Sequence, residues 1–177
     1  MIQKNYEVVD LIFSLFEDSK YYLNKAKINN TEDGLTVRYA RASVIVSWAA
    51  FEGWINKTCD DFAETSQSLS ISEVGFLKEK KVEMKNGEFV VSNGDKYETT
   101  ENKLEFLLRK FTNYKIDKSK IYWQNYKLSK NLRDSIMHPK KSKTSMIDIQ
   151  SAETNLNTLK YFIEILSKKL YGKKLKL

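Results

Sequence analysis

A chain of 177 residues with one proline and six glycines has few places where a helix is obliged to stop. Proline removes an amide donor and clashes with the preceding turn, and glycine costs about 1 kcal/mol in a helix interior, so their scarcity leaves long stretches free to be helical. The apolar spacing uses that freedom. Val8, Leu11, Ile12, Leu15, Phe16, Tyr22 and Leu23 recur with helical period and predict a helix over about 4 to 28. Asn29 to Gly34 reads as a loop. Val37, Ala40, Val44, Trp48, Phe51, Ile55, Cys59 and Phe62 repeat at close to a heptad and predict a central buried helix over about 35 to 64. Further helices are predicted over about 101 to 112, 118 to 137 and 145 to 170. Both Asn-Gly pairs, Asn86-Gly87 and Asn93-Gly94, fall between Ser66 and Thr100. Such pairs accept the positive φ angles of tight turns, so 81–85, 88–92 and 96–98 read as a small hairpin or meander inserted in the bundle.

The size fits one domain over 1–177, with 66–100 as an insertion and 171–177 as a basic tail. A hydrophobic fraction of 41% beside 30% charged residues belongs to a folded globular chain and excludes a disordered composition. No apolar run approaches the ~18 residues of a membrane span. The most apolar stretch, Val44 to Ile55, is interrupted by Ser47, Glu52 and Gly53, and charges near the N-terminus interrupt any signal-peptide core. A cytoplasmic protein without a membrane partner is expected. Cys59 is the single cysteine and His138 the single histidine, which excludes an intrachain disulfide and a soft-ligand zinc site within one chain. Asp60-Asp61 reads as a solvated face, and neither metal nor cofactor is expected. Cys59, on the apolar stripe, reads as inert core, and the tryptophans Trp48, Trp54 and Trp123 read as core or interface.

The formal net charge of +7 admits a polyanionic partner, and its distribution says more than its size. Lys118, Lys120, Lys127, Lys130, Arg133, Lys140, Lys141 and Lys143 crowd one stretch, with Asp117 and Asp134 as the nearby acids. Inside it lies Asn131-Leu132-Arg133-Asp134-Ser135-Ile136-Met137-His138-Pro139. Cleaving RNA without metal needs a group that titrates near neutrality and a fixed cation for the phosphate in the transition state. Histidine suits the first task and guanidinium the second. On an ideal helix the two positions are roughly 140° apart. Pro139 disfavours the α region for His138, so the helix is expected to end near Met137 or His138. Leu128, Leu132, Ser135 and Ile136 are expected to form the core stripe, with Arg133 and His138 on its flanks. The plain alternative makes His138 a surface residue and pairs Arg133 with a carboxylate such as Glu52.

Arg133, Asp134 and His138, with Ile136 and Met137 before the histidine, resemble the motif of the HEPN superfamily: an arginine, a polar residue, and a histidine near the end of a late helix. The stretch from Arg38 to Asn56, rich in small residues and containing Phe51-Glu52, is similar to a helix of several prokaryotic branches. The resemblance covers about 35 to 65 and 100 to 170. Asn86 to Tyr97 departs from the minimal bundle, and Lys140 stands where one branch carries a modified tyrosine. The fold implied is an all-α, HEPN-like helical bundle of about five helices with a small β-hairpin insertion at about 81–99.

The function implied is a metal-independent endoribonuclease of a toxin-antitoxin or anti-phage defence system. In it the substrate 2′-OH attacks the adjacent phosphorus and leaves a 2′,3′-cyclic phosphate, with His138 as general acid or base, Arg133 as phosphate clamp and Asp134 as orienting group. Lys130, Lys140 and Lys141 are the expected RNA-guiding cations, and Glu52 and Asn56 the candidates for supporting the catalytic pair. RNA, an antitoxin or other defence protein, and a second copy of the chain are the implied partners. Tyr122, Trp123, Tyr126 and Met137 are expected to supply the apolar surface of that homodimer. The rival readings are a non-catalytic HEPN-like module that binds RNA or assembles with protein, and a purely structural helical protein.

Overall fold

The computed structural model describes residues 2–29, 33–139, 147–173 and 175. Parts of the predicted loop at 29–34 and of the basic tail at 171–177 lie outside them, as does the predicted start of the last helix at 145. The elements are α1 (Ile2–Ile28), α2 (Asp33–Thr65), α3 (Ile71–Leu77), β1 (Lys80–Lys85), β2 (Glu88–Asp95), α4 (Thr100–Thr112), α5 (Ile121–Met137) and α6 (Ile149–Tyr171). The described residues are therefore mostly helical with one two-stranded antiparallel sheet. It divides into two compact units, Met1–Phe51 with Ile116–Leu177, and Glu52–Lys115. The segment 66–100 falls inside the second.

The first unit comprises α1, the first part of α2, α5 and α6. Among the described side chains of α1, those from Val8 onward, the buried ones are Ile12, Phe16, Ser19, Leu23 and Ala26. Val8 and Leu11, expected in that stripe, are exposed at 41% and 59%. Small side chains in the row let α1 approach α2 locally: the Ser19 hydroxyl donates to the Ser43 carbonyl at 3.0 Å, and Ala26 and Ala40 are fully buried. On α6 the row runs Ala152, Asn155, Leu156, Leu159, Phe162, Ile163 and Leu166. Asp148 caps that helix in a reciprocal box with Ser151, and Gly172 closes it in the left-handed conformation at φ 68°. Rings of Trp48, Phe51, Trp123, Tyr126 and Phe162 make the centre, with Tyr126 fully buried and 5.1 Å from both Trp123 and Phe162.

The second unit holds the rest of α2, α3, the hairpin and α4. Asn86 and Gly87 have φ of 53° and 86° and make the expected tight turn. Asn93-Gly94 does not turn. It lies within β2, where the register shifts between the pairs Lys80–Asp95 and Val82–Val91, so the dipeptide marks a bulge and no third strand forms at 96–98 among the described residues. Sequence reading also passed over α3, although Ser70 and Glu73 form a complete capping box there.

A Cβ on Gly75 of α3 would lie 2.7 Å from Val82 Cγ2 and 3.0 Å from the Lys80 carbonyl oxygen. The backbone contact cannot yield as a side chain does, so Gly75→Ala is expected to cost about 1–3 kcal/mol in chemical denaturation. Alanine is otherwise the better helix former. An unchanged midpoint would mean that α3 does not approach the hairpin this closely.

Candidate active site

The largest apolar rings, not the aliphatic residues, decide which side of α5 is buried. Trp123, Tyr126, Ser129 and Leu132 face inward, whereas Leu128 is 63% exposed, which corrects the expected stripe of Leu128, Leu132, Ser135 and Ile136. With 3.6 residues per turn, Arg133 shares the inward side with Tyr126 and Ser129 rather than lying on a flank. Its side chain is accordingly only 28% exposed. The guanidinium carbon lies 5.8 Å from the centre of the Trp48 ring, within reach of a cation–π attraction.

Arg133 Nη1 donates to Asp134 Oδ1 at 2.9 Å, and Lys130 Nζ donates to the other carboxylate oxygen at 3.1 Å. Burial pushes the Asp134 carboxyl up, but these two cations more than offset it and hold the group below the usual carboxylate range. A carboxylate with a lowered folded pKa contributes stability above its unfolded value, and that contribution fades as pH falls through the folded value. At neutral pH Asp134 is therefore anionic and accepts from Arg133.

Trp48 is itself fixed. Its indole Nε1 donates to Asn155 Oδ1 at 2.8 Å, and Asn155 Nδ2 donates to the Ser47 hydroxyl at 2.8 Å. Sequence reasoning missed Asn155. The available signal was a carboxamide among the apolar residues of α6, where burial demands a specific hydrogen-bond partner.

α5 ends at Met137, in keeping with the restriction that Pro139 places on its predecessor. His138 is the capping residue at φ −130° and ψ 67°, its amide donating to the Asp134 carbonyl at 2.9 Å, and its side chain is exposed. The structure thus groups Lys130, Arg133, Asp134 and Trp48, and leaves His138 open to solvent at the end of the same helix. Lys140 and Lys141 lie outside the described residues.

Of the four aromatic and apolar residues expected at a dimer surface, Trp123 and Tyr126 are 4% and 0% exposed and are consumed by the first unit's core. Bulky rings in a small helical unit fill its interior before any interface. Met137 is exposed and Tyr122 is half-buried.

Glu52 and Asn56 belong to the second unit. Thr100 Oγ1 donates to Glu52 Oε1 at 3.4 Å, and Lys103 Nζ donates to Asn56 Oδ1 at 2.8 Å. Lys103, which sequence reading did not single out, is 3% exposed and also pairs with Glu79 Oε1 at 2.9 Å. Glu79 Oε1 additionally accepts from the Glu98 amide at 2.8 Å. Burial pushes the neighbouring Cys59 thiol up to about 12, so it is an unreactive core group.

Among the described residues no group of three or more metal-binding side chains occurs, and no helix is long and apolar enough to cross a membrane. Comparisons of the chain with protein-family models, with curated proteins and with solved structures found no match.

Proposed function

We propose that the chain is a metal-independent endoribonuclease of HEPN type, with Arg133 and His138 as its catalytic pair and Asp134 as the orienting carboxylate. The observation that supports this most is an exposed imidazole at the end of α5, five residues beyond a guanidinium held by Asp134 and the Trp48 ring. The guanidinium neutralises the phosphorane that forms as the 2′-OH attacks phosphorus. His138 moves a proton to or from the reacting oxygens. Lys130, Lys140 and Lys141 guide the RNA backbone.

Helical geometry sets Arg133 and His138 roughly 140° apart on one α5, so the reading includes a two-fold homodimer in which both copies line one cleft. A cytoplasmic toxin-antitoxin or anti-phage setting follows from the sequence resemblance. The rival is a non-catalytic module that binds RNA or assembles with protein. It is favoured by one fact: Asp134 accepts from Lys130 as well as from Arg133, an arrangement that braces α5 whether or not chemistry occurs.

The two separate in a cleavage assay. Purified protein in excess EDTA is expected to cut single-stranded RNA and to leave the same sequence with 2′-deoxyribose intact. Activity lost in EDTA and restored by Mg²⁺ would overturn the metal-free mechanism, and no cleavage under any condition would leave the binding module as the function.

A further inference from the structure

Between α5 and α6 lies a cleft of about 310 Å³ lined by Tyr122, Asn125, Thr154, Asn157, Thr158 and Tyr161, all in the first unit. It is small for a ligand pocket but within the usual range. Its composition departs from the rest of the chain, for none of the six is charged where 30% of all residues are. The Tyr122 and Tyr161 rings lie 5.3 Å apart at 41°, and Tyr161 remains 39% exposed. Among the described residues the carboxamides of half-buried Asn125 and exposed Asn157 have no hydrogen-bond partner within the protein, in contrast to Asn155 of the same α6, which is engaged by Trp48 and Ser47.

Two aromatic faces beside two unused carboxamides, with no charge between them, match an uncharged flat ring that both stacks and hydrogen-bonds at its edge. Phosphate is disfavoured because no cation lines the cleft. We propose that this cleft is a nucleobase subsite for single-stranded RNA, an inference that rests on the nuclease reading for its ligand class. Tyr161 stacks on the base, and Asn125 and Asn157 read its donor and acceptor edge. Tyr122 lies eleven residues before Arg133 on α5, which at 1.5 Å per residue is about 16 Å along the axis. The base held there is therefore several nucleotides from the bond being cut.

That spacing supplies the test. Tyr161→Ala, Tyr161→Phe and the double variant Asn125→Leu/Asn157→Leu are compared with the unaltered protein, each after a thermal melt to verify folding. Binding is measured with non-cleavable single-stranded 2′-deoxy decamers of each base, and cleavage with an RNA decamer and an RNA dinucleotide. Tyr161→Ala is expected to weaken binding of at least one decamer about tenfold and to raise KM for the RNA decamer, with Tyr161→Phe restoring both. The double variant is expected to flatten the difference between bases, and dinucleotide cleavage is expected to stay unchanged. Folded variants that bind all decamers as tightly as the unaltered protein would overturn the subsite while cleavage persists. Decamer binding that depends on Tyr161 without any RNA cleavage would retain the subsite and remove the nuclease.

Discussion

His138→Ala is expected to lower RNA cleavage by about 10² or more, the scale for losing a general acid or base, and to leave the melting temperature unchanged because the side chain is exposed. Arg133→Ala is expected to cost as much in rate through loss of transition-state charge. It differs in stability. The guanidinium sits against Trp48 and pairs with Asp134, so its removal is expected to cost on the order of 1–2 kcal/mol in unfolding. Arg133→Lys retains charge but neither the planar fork nor the stacking, and is expected to stay far below full activity. A variant at either position that folds and cleaves at nearly the original rate would show that these two side chains are not the catalytic pair.

The contrast between the two residues marks where sequence reading stops. Helical periodicity located α1, α2, α4, α5 and α6 because each buries a repeated apolar row, and Pro139 located the end of α5. Which face of α5 is inward was not legible from Leu128 and Ile136, because the face is chosen by where Trp123 and Tyr126 fit among rings from α2 and α6. That tertiary choice turns Arg133 toward Trp48 and leaves Leu128 in solvent. Asn155 was illegible for the same reason, since its partners, Trp48 and Ser47, are more than 100 residues away. Local signals misled once. Asn93-Gly94 has the chemistry of a turn, but Asn86-Gly87 already reverses the chain, and the second pair is absorbed as a bulge in β2. The arginine, aspartate and histidine themselves were visible as a string, while the support that gives Arg133 a fixed direction was not.

The largest effect on stability is expected at the buried cation of the second unit. Lys103 is 4% exposed in its side chain and pairs with Glu79, so Glu79→Ala leaves a desolvated ammonium with its hydrogen bond to Asn56 and only the longer-range attraction of Asp60. Breaking such a pair from one side costs about 3–5 kcal/mol, and the partial exposure of Glu79 places the expected loss near the lower end. Glu79 also has φ of 53°, a conformation that alanine tolerates poorly, so Glu79→Gln serves as a control that keeps the acceptor and the length. The double variant Lys103→Met/Glu79→Gln removes the buried charge and is expected to recover most of the loss. Urea titrations of the three variants and the unaltered chain read these differences directly. Equal stability of Glu79→Ala and the unaltered chain would mean that the pair contributes nothing.

The claim that Arg133 and His138 cut RNA through its own 2′-OH is tested most directly by the chemistry of the cut ends. Mass spectrometry of a defined RNA oligonucleotide incubated with the protein in EDTA is predicted to show one fragment ending in a 2′,3′-cyclic phosphate and the other beginning with a 5′-OH. The yield of both fragments at a fixed time is predicted to fall about 10²-fold or more with His138→Ala. Fragments carrying a 5′-phosphate, or an undiminished yield from the His138→Ala protein, would contradict the mechanism.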